Sequence, residues 1–332
     1  MTLEVGSVSA SLAILVVAAL GAAVISRMLY PAAEGWLGRI APATRADLLV
    51  AWAVAPFVIG LVMLLLVFSP SLSHLLGFGV DHCHTHAHHA HLCLIHTGLF
   101  TGSFLEQVIL AGAGTVLAGR AFTTGRRLRL ARLSVNTLLT LAKPSSGSAP
   151  HRIVVSEHPF AITVGLLRPQ VLFSSRLLHV LSPTELATVL SHEQAHQQRR
   201  DGVRLLAAEA FLTLHLPSTR RFILEQLGLA VEQACDEAAV IQSGDRLQVA
   251  ETIVKMTRLA RGHSPIAGTI GASVTGSDVL RRVEGLLHPA LPARPRLNAL
   301  AYGIVGLAIS AGFTTNDWWH HSAETLLSFF LG

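Results

Sequence analysis

Residues 190–202 read LSHEQAHQQRRDG and contain the pattern His-Glu-x-x-His at positions 192–196. On an α-helix, residues four apart lie one turn above each other, so His192 and His196 can present their imidazoles to one metal ion. Glu193 then projects beside the metal, where a carboxylate can act as a base. The chain contains 18 histidines among 332 residues, so the pattern alone is only moderately specific and the neighbouring sequence must decide.

The sequence around this pattern predicts a mainly helical domain. Ser182-Pro183-Thr184-Glu185 is a capping box with proline at the first helical position, so a helix should start there and run through His196 toward Pro217. Caps and glycines predict three further helices, at about 219–243, 246–261 and 277–287. Residues 151–178 mix Val, Ile and Phe with Pro and Gly, which predicts short strands and turns. The metal-binding pattern should therefore lie in mid-helix within an α+β domain.

A catalytic zinc site needs three protein ligands and one open position, so a third ligand must come from another part of the chain. Glu209 lies about 20 Å farther along the same predicted helix and is too distant. The next predicted helix carries four acids, Glu225, Glu232, Asp236 and Glu237. Glu232 and Asp236 are four residues apart, so one can ligate the metal while the other accepts a hydrogen bond from a histidine ligand. Cys235, between them, is expected to be a small buried residue.

The composition is that of a membrane protein. Hydrophobic residues make up 51% of the chain and charged residues 14%, and the mean hydropathy is +0.52. Four apolar stretches are long enough to cross a bilayer as helices, at about 8–29, 48–68, 99–118 and 297–315. We therefore expect four transmembrane helices, with Glu106 close to one membrane interface.

The distribution of positive charge predicts the orientation of these spans. Arg27, Arg39 and Arg45 lie between the first two spans, whereas residues 70–98 contain no Lys or Arg. The N-terminus is therefore expected outside, residues 120–294 in the cytoplasm and the tail outside. A basic segment follows the third span and carries Arg120, Arg126, Arg127, Arg129 and Arg132. We expect this segment to contact the anionic headgroups of the lipid bilayer, and we expect no direct binding of nucleic acid.

The loop between the second and third spans is rich in metal-binding residues. Residues 81–96 read DHCHTHAHHAHLCLIH. The candidate ligands of a second, outer metal site are His82, Cys83, His84, His86, His88, His89, His91, Cys93 and His96. Such a set suits zinc, copper or nickel, although an unselective metal buffer or a disulfide between Cys83 and Cys93 is also consistent with the sequence.

Four segments together resemble the BlaR/MecR family of bacterial membrane-embedded regulatory metallopeptidases. They are Arg-Pro-Gln-Val-Leu at 168–172, Leu-Ser-Pro-Thr-Glu-Leu at 181–186, residues 192–201 ending Arg-Arg-Asp, and Glu-Gln-Ala-Cys-Asp at 232–236. The resemblance implies that His192, His196 and Glu232 ligate one Zn²⁺ and that Glu193 is the catalytic residue. Asp236 and Asp201 match two acidic positions of the family, which implies that they support the ligands from behind.

The resemblance also implies the fold: a mainly α, polytopic membrane protein with a cytoplasmic, gluzincin-like α+β zinc peptidase domain between the third and fourth spans. The expected parts are a membrane domain at 1–120 with the outer His-rich loop at 70–98, a basic amphipathic segment and flexible linker at 121–150, the peptidase domain at 151–294, the fourth span at 295–316 and an outer tail at 317–332. The family's antibiotic sensors carry a large penicillin-binding domain after the fourth span, and this tail is too short for one. We therefore expect no β-lactam acylation.

The expected function is that of a zinc endopeptidase of the bacterial inner membrane. It would convert an outer signal, for which a transition metal is the candidate, into cytoplasmic proteolysis of a protein substrate such as a transcriptional repressor, or of itself. The group that stabilises the oxyanion is left open among His215, His263 and an arginine. One alternative is a quality-control protease resembling HtpX. Another is a metal-binding receptor or carrier in which the peptidase fold is an inactive scaffold.

Overall fold

The computed structural model describes residues 5–77, 104–144, 151–260, 276–289, 291 and scattered positions between 306 and 325. The helices are α1 (Val5–Leu37), α2 (Pro42–Leu75), α3 (Phe104–Leu141), α4 (Ser175–Val180), α5 (Pro183–Arg199), α6 (Asp201–Phe211), α7 (Pro217–Ser243), α8 (Arg246–Ala260) and α9 (Gly276–Leu287). The strands are β1 (Lys143–Pro144), β2 (His151–Val154), β3 (Ala161–Val164) and β4 (Gln170–Ser174). The described chain is thus mainly helical with one small mixed sheet, as expected.

The sheet has the strand order β1-β2-β4-β3, in which β2 and β4 are parallel and the other two pairs are antiparallel. Side chains of β4 alternate between two hydrophobic clusters, as the pleat of a strand requires. Leu172 packs with Val164 and α3 residues such as Leu138, whereas Val171 and Phe173 pack with residues of α4, α5 and α8. The sheet therefore has α3 on one face and, on the other, α4, α8 and α5, the helix that carries the metal-binding pattern.

A third hydrophobic cluster joins the first two helices to the peptidase domain. Leu37, Leu49 and Ala53 are buried with residues of α6 and α7. The rings of Tyr30 on α1 and Phe222 on α7 meet edge to face, with centroids 4.2 Å apart. The ends of α1 and α2 that are joined by residues 38–41 are therefore part of the core of the peptidase domain.

Most helix boundaries agree with the caps read from the sequence. Ser182 and Glu185 form the expected capping box at the start of α5, and Gly244 ends α7 with φ of 73°. The expectation of one helix from the capping box toward Pro217 is wrong, because Arg200 has φ of 53° and separates α5 from α6. This left-handed residue ends α5 four residues after His196.

Within the described residues, two helices are long and apolar enough to cross a membrane, Ile14–Leu37 and Pro42–Ser69. They correspond to the first two expected spans. The apolar part of the expected third span continues without a break into the basic segment, since α3 extends from Phe104 to Leu141. Residues 99–103 and most of 297–315 lie outside the described residues, as does the His-rich loop at 82–96, so four spans and the outer metal site stay predictions.

Candidate metal centre

Two helices bring three metal-ligating side chains together. His192 and His196 extend from one face of α5, and Glu232 extends from α7, which packs alongside. The Nε2 atoms of the two histidines are 3.2 Å apart, and they lie 3.5 and 3.6 Å from the carboxylate oxygens of Glu232.

These separations suit a tetrahedral zinc ion. With bonds of about 2.0–2.2 Å to nitrogen and oxygen, neighbouring ligand atoms of a tetrahedral zinc are about 3.4 Å apart. Each histidine Nε2 lies near this spacing from a different oxygen of the Glu232 carboxylate, and two imidazoles with one carboxylate are a donor set that zinc accepts. The residues present therefore fit a zinc ion, with a fourth position left for water or substrate.

The opposite nitrogen of each histidine is held by a carboxylate. His192 Nδ1 is 3.0 Å from Asp236 Oδ1, and His196 Nδ1 is 3.0 Å from Asp201 Oδ2. Each Nδ1–H can then donate to its carboxylate, which leaves the Nε2 lone pair directed at the metal position. Asp201 reaches His196 because Arg200, in the left-handed conformation, turns the chain between α5 and α6. Both acids thus lie behind the imidazoles.

An arginine that the sequence reading missed joins the two acids of α7. Arg282 of α9 is 8% exposed and donates from Nε and Nη2 to Asp236, at 2.8 and 2.7 Å. Its Nη1 lies 2.8 Å from Glu232 Oε2. One guanidinium therefore fixes the candidate metal ligand and the acid that orients His192. The position of Arg282 on the amphipathic helix of residues 276–287 is a weak sequence signal for its role at the metal centre.

The electrostatics of this cluster keep its acids ionised. Burial raises the pKa of Glu232, but Arg282 and His192 outweigh burial and hold this pKa well below its usual range. The pKa of Asp236 is lowered by the same neighbours, against the effect of burial. Burial lowers the pKa of His192, yet its hydrogen bonds with Asp236 and Glu232 raise it to about 10. A proton must therefore leave His192 when a metal binds.

Glu193 lies next to the sheet. Thr163 of β3 has its hydroxyl 2.7 Å from Glu193 Oε2 and 2.9 Å from the backbone carbonyl of the same residue. The hydroxyl can donate to the carboxylate and thereby restrict its rotation, since Glu193 is otherwise a long side chain with several rotamers. The carboxylate is thus held on the β3 side of the metal-binding helix.

The other acids and Cys235 have different surroundings. Glu237 forms a bidentate ion pair with Arg246, at 2.7 and 2.9 Å. Glu225 belongs to none of the metal-ligating groups among the described residues. Cys235 is fully buried with its sulfur 3.3 Å from His196 Nδ1, and burial, followed by Asp201, raises the pKa of its thiol. Cys235 therefore lies behind His196, on the side of Nδ1, where it forms a second group of possible ligands with His196 and Asp201.

His215 lies away from the cluster. Its ring nitrogens contact the Ser26 hydroxyl at 3.3 Å and the Ala53 carbonyl at 3.2 Å, between α1 and α2. It is therefore not available to stabilise an oxyanion, and His263 lies outside the described residues.

The geometry of the metal centre agrees with a match between this chain and a known peptidase family. The model of a family described as BlaR1 peptidase M56 matches residues 104–286, more than half of the chain. The chain belongs to this family. Searches of curated proteins and of solved structures gave no significant match. Membership in the M56 family implies peptidase activity on a protein substrate, and the two apolar helices agree with association with a membrane.

Proposed function

We propose that this M56 peptidase is a zinc endopeptidase of the bacterial inner membrane that converts an outer signal into cytoplasmic proteolysis of a regulator or of itself. The observation that carries the zinc assignment is the cluster of His192, His196 and Glu232, with both histidines oriented by buried acids. The family match supports the peptidase activity.

In this proposal, Nε2 of His192, Nε2 of His196 and a carboxylate oxygen of Glu232 hold the zinc ion. When bound, zinc supplies a Lewis acid that lowers the pKa of water toward about 7 and polarises the peptide carbonyl. Glu193 takes the proton from the attacking water and later donates it to the leaving amine. Its Oε1 is the atom available for this transfer, because Oε2 is held by Thr163.

The sheet supports a direction of approach for the substrate. β4, which contains Val171, is paired with both β2 and β3 and is a core strand. β3 stands at the end of the strand order and carries Thr163, the partner of Glu193. We therefore propose that an extended substrate adds as a strand beside β3, which aligns its carbonyl with the base.

The charge distribution supports a membrane topology. We propose four spans with both termini outside and the metal centre in the cytoplasm, because Arg39 lies in the turn between the first two candidate spans and Arg27 and Arg45 lie in the halves of those spans nearer to this turn. The His-rich loop would then face outside, where a transition metal can reach it. The candidate substrate is a transcriptional repressor. The presence of Glu193 argues against the alternative of an inactive peptidase scaffold, because such a scaffold would not need a catalytic acid.

The experiment that tests this proposal uses Glu193→Gln as a substrate trap in membranes. Glu193→Gln should retain zinc and lose cleavage, and one dominant captured protein would support a regulatory protease. Many captured membrane proteins would instead favour the quality-control alternative. If the wild-type chain bound zinc but cleaved neither itself nor any trapped protein, the receptor or carrier alternative would be favoured.

A further inference from the structure

The hydrogen bonding of β3 determines which of its backbone groups face the outer edge of the sheet. Among the described strands, β3 stands at the end of the strand order and pairs with β4. Ser174 N donates to Phe160 O at 3.0 Å, which extends the register in which Ala161 lies opposite Phe173. In an antiparallel pair, residues that hydrogen-bond to the partner strand alternate with residues whose backbone groups point away from it. The backbone N–H and C=O of Ala161 and Thr163 therefore point away from β4, to the outer edge.

The side chain of Thr163 lies on the face of the sheet that packs against α5. Its hydroxyl is 2.7 Å from Glu193 Oε2 and 2.9 Å from the backbone carbonyl of Glu193. A threonine hydroxyl donates a single proton, so these two acceptors compete for it. The carbonyl of a residue within an α-helix accepts from the N–H four residues farther along, whereas the carboxylate has no such partner. The carboxylate is therefore the acceptor that needs the hydroxyl.

The rotamer of Glu193 depends on this contact. Glu193 is 8% exposed, and among the described residues no side chain other than Thr163 forms a hydrogen bond with its carboxylate. A buried polar group without partners is costly, so the rotamers of Glu193 that lose the hydroxyl are disfavoured. The β-branch of threonine restricts its own side-chain torsion, which makes its hydroxyl a rigid anchor.

We propose that Thr163 is a positioning residue that relates the substrate to the base. Its hydroxyl fixes Oε2 of Glu193, so that Oε1 stays available to take the proton of the attacking water. Its outward backbone N–H and C=O pair with an extended substrate peptide, which runs beside β3 at the usual strand spacing of about 4.8 Å. One residue thereby sets both the register of the peptide and the rotamer of the base. This inference rests on the proposed peptidase function.

Loss of the hydroxyl should act on the chemical step and not on substrate binding. Thr163→Val keeps the β-branch and both backbone groups, and valine suits a strand. The value of kcat should fall about tenfold or more, because a hydrogen bond to a charged group is lost, while KM should change less than about twofold. Thr163→Ser keeps the hydroxyl and should restore most of kcat.

The test measures cleavage of fluorescein-labelled β-casein, an unfolded protein of mixed sequence, by the full zinc-loaded chain in detergent. The matched control is Thr188→Val on α5, the helix that carries Glu193. The hydroxyl of Thr188 donates to the carbonyl of Thr184 in the same helix, at 3.0 Å, and has no contact with the metal centre. Loss of such a bond within a helix should change kcat less than about twofold.

A second measurement needs neither zinc nor turnover. Binding of the labelled casein to the metal-free chain is followed by fluorescence anisotropy in EDTA. Thr163→Val should bind as tightly as the wild-type chain, because its backbone groups remain. Ala161→Pro removes one N–H at the outer edge, a position at which a strand tolerates proline, and should weaken binding by about threefold to tenfold. Ala161→Ser keeps this N–H and should bind like the wild-type chain.

Two smaller substitutions keep the test valid if Thr163→Val does not fold. Thr163→Ser and Thr163→Ala differ only in the hydroxyl oxygen. Their kcat values should differ by the same factor of about ten or more, and their casein affinities in EDTA should be equal.

The outcomes separate this inference from the proposed function. Thr163→Val with the wild-type kcat, with a higher KM and unchanged kcat, or with a loss that Thr188→Val shares would overturn the positioning role. Tight binding of casein by Ala161→Pro, or no binding by the wild-type chain, would overturn the pairing of the substrate with β3. If the wild-type and Thr163→Val chains both bound casein and neither cleaved it, the proposed peptidase function itself would be contradicted.

Discussion

Replacement of Arg282 by methionine is the most informative perturbation of the metal centre. Methionine has a similar length and no charge, so it removes three contacts of 2.7–2.8 Å with Asp236 and Glu232. Asp236 is 1% exposed and would keep a buried charge with only His192 as its ionic partner. Removal of one partner from a buried ion pair costs about 3–5 kcal/mol, and we expect that loss in the free energy of unfolding without metal.

The zinc affinity should fall as well, because Arg282 holds both a ligand and the acid that orients His192. Loss of an outer-shell partner weakens metal binding by about 10–100-fold, or about 1.4–2.7 kcal/mol. Arg282→Lys should give an intermediate affinity, since an ammonium group keeps the charge but cannot form the bidentate pair.

The assay combines chelator competition for zinc with thermal unfolding in EDTA. Both use the full chain with the histidines of the outer loop replaced by serine, so that only the inner site is counted. Arg281→Met removes the exposed neighbouring arginine and is the matched control. If Arg282→Met bound zinc with wild-type affinity and unfolded at the wild-type temperature, the assigned role of Arg282 would be wrong.

Three further predictions test other parts of the molecule. Glu232→Gln should weaken zinc binding strongly in the same competition assay and Glu225→Gln should not, and the reverse result would identify a different third ligand. Hydrogen bonds with Lys255 and the backbone at the helix start lower the pKa of Glu185 below its ordinary value of 4.5, so this carboxylate stabilises the fold above that pH and loses its effect as the pH falls. Glu185→Gln should therefore lower the unfolding temperature at pH 7 but not near pH 3, and a constant difference would contradict the ion pair. Reporter fusions should place residue 150 inside and residues 86 and 332 outside, and a cytoplasmic signal at residue 332 would remove the fourth span.

Local sequence signals predicted the parts of the site that lie on single helices. The capping box of residues 182–185 positions the start of α5, and the four-residue spacing of His192 and His196 places both on one face. The same spacing in Glu232 and Asp236 predicts one ligand and one supporting acid on α7. These relations depend only on helix geometry, so the sequence is sufficient to find them.

Long-range contacts could not be predicted in the same way. Arg282 is 46 residues from Asp236, and many arginines of the chain could have filled that role. The turn at Arg200 was missed because a non-glycine residue with positive φ has no clear sequence signal. Thr163 meets Glu193 only because the sheet packs on α5, which depends on the pairing of β3 with β4.

The packing of α1 and α2 on the peptidase domain was also unexpected. Apolar residues such as Leu49 and Ala53 fit the pattern of a membrane span, yet they are buried against α6 and α7. The hydrophobicity of a side chain predicts that it is buried away from water. It does not predict whether lipid or the protein interior surrounds that side chain. The sequence therefore could not place the end of the membrane span within these long helices.

This packing indicates a route by which the outer signal of the proposed function would reach the metal centre. The His-rich loop joins α2 to α3, and these helices lead to different halves of the site. α2 contacts α7 through Arg45 and Gln233, next to Glu232, whereas α3 packs on the sheet that holds Thr163 and Glu193. A change in the separation of α2 and α3 would therefore move the third ligand relative to the base.

A metal in the loop can bias this movement only if it binds one arrangement of the two helices better than the other. A shift from 1:99 to 99:1 requires a difference in binding of about 5.5 kcal/mol, which several His and Cys ligands converging in one state can supply. We predict that external zinc, copper or nickel changes cleavage in membranes that carry the wild-type chain, and that replacement of the loop histidines by serine removes the effect. Because imidazoles bind metals only when neutral, the response should also weaken below about pH 6.5. Equal cleavage with and without metal, in both chains, would leave the loop as a passive metal buffer and would not affect the assignment of the metal centre.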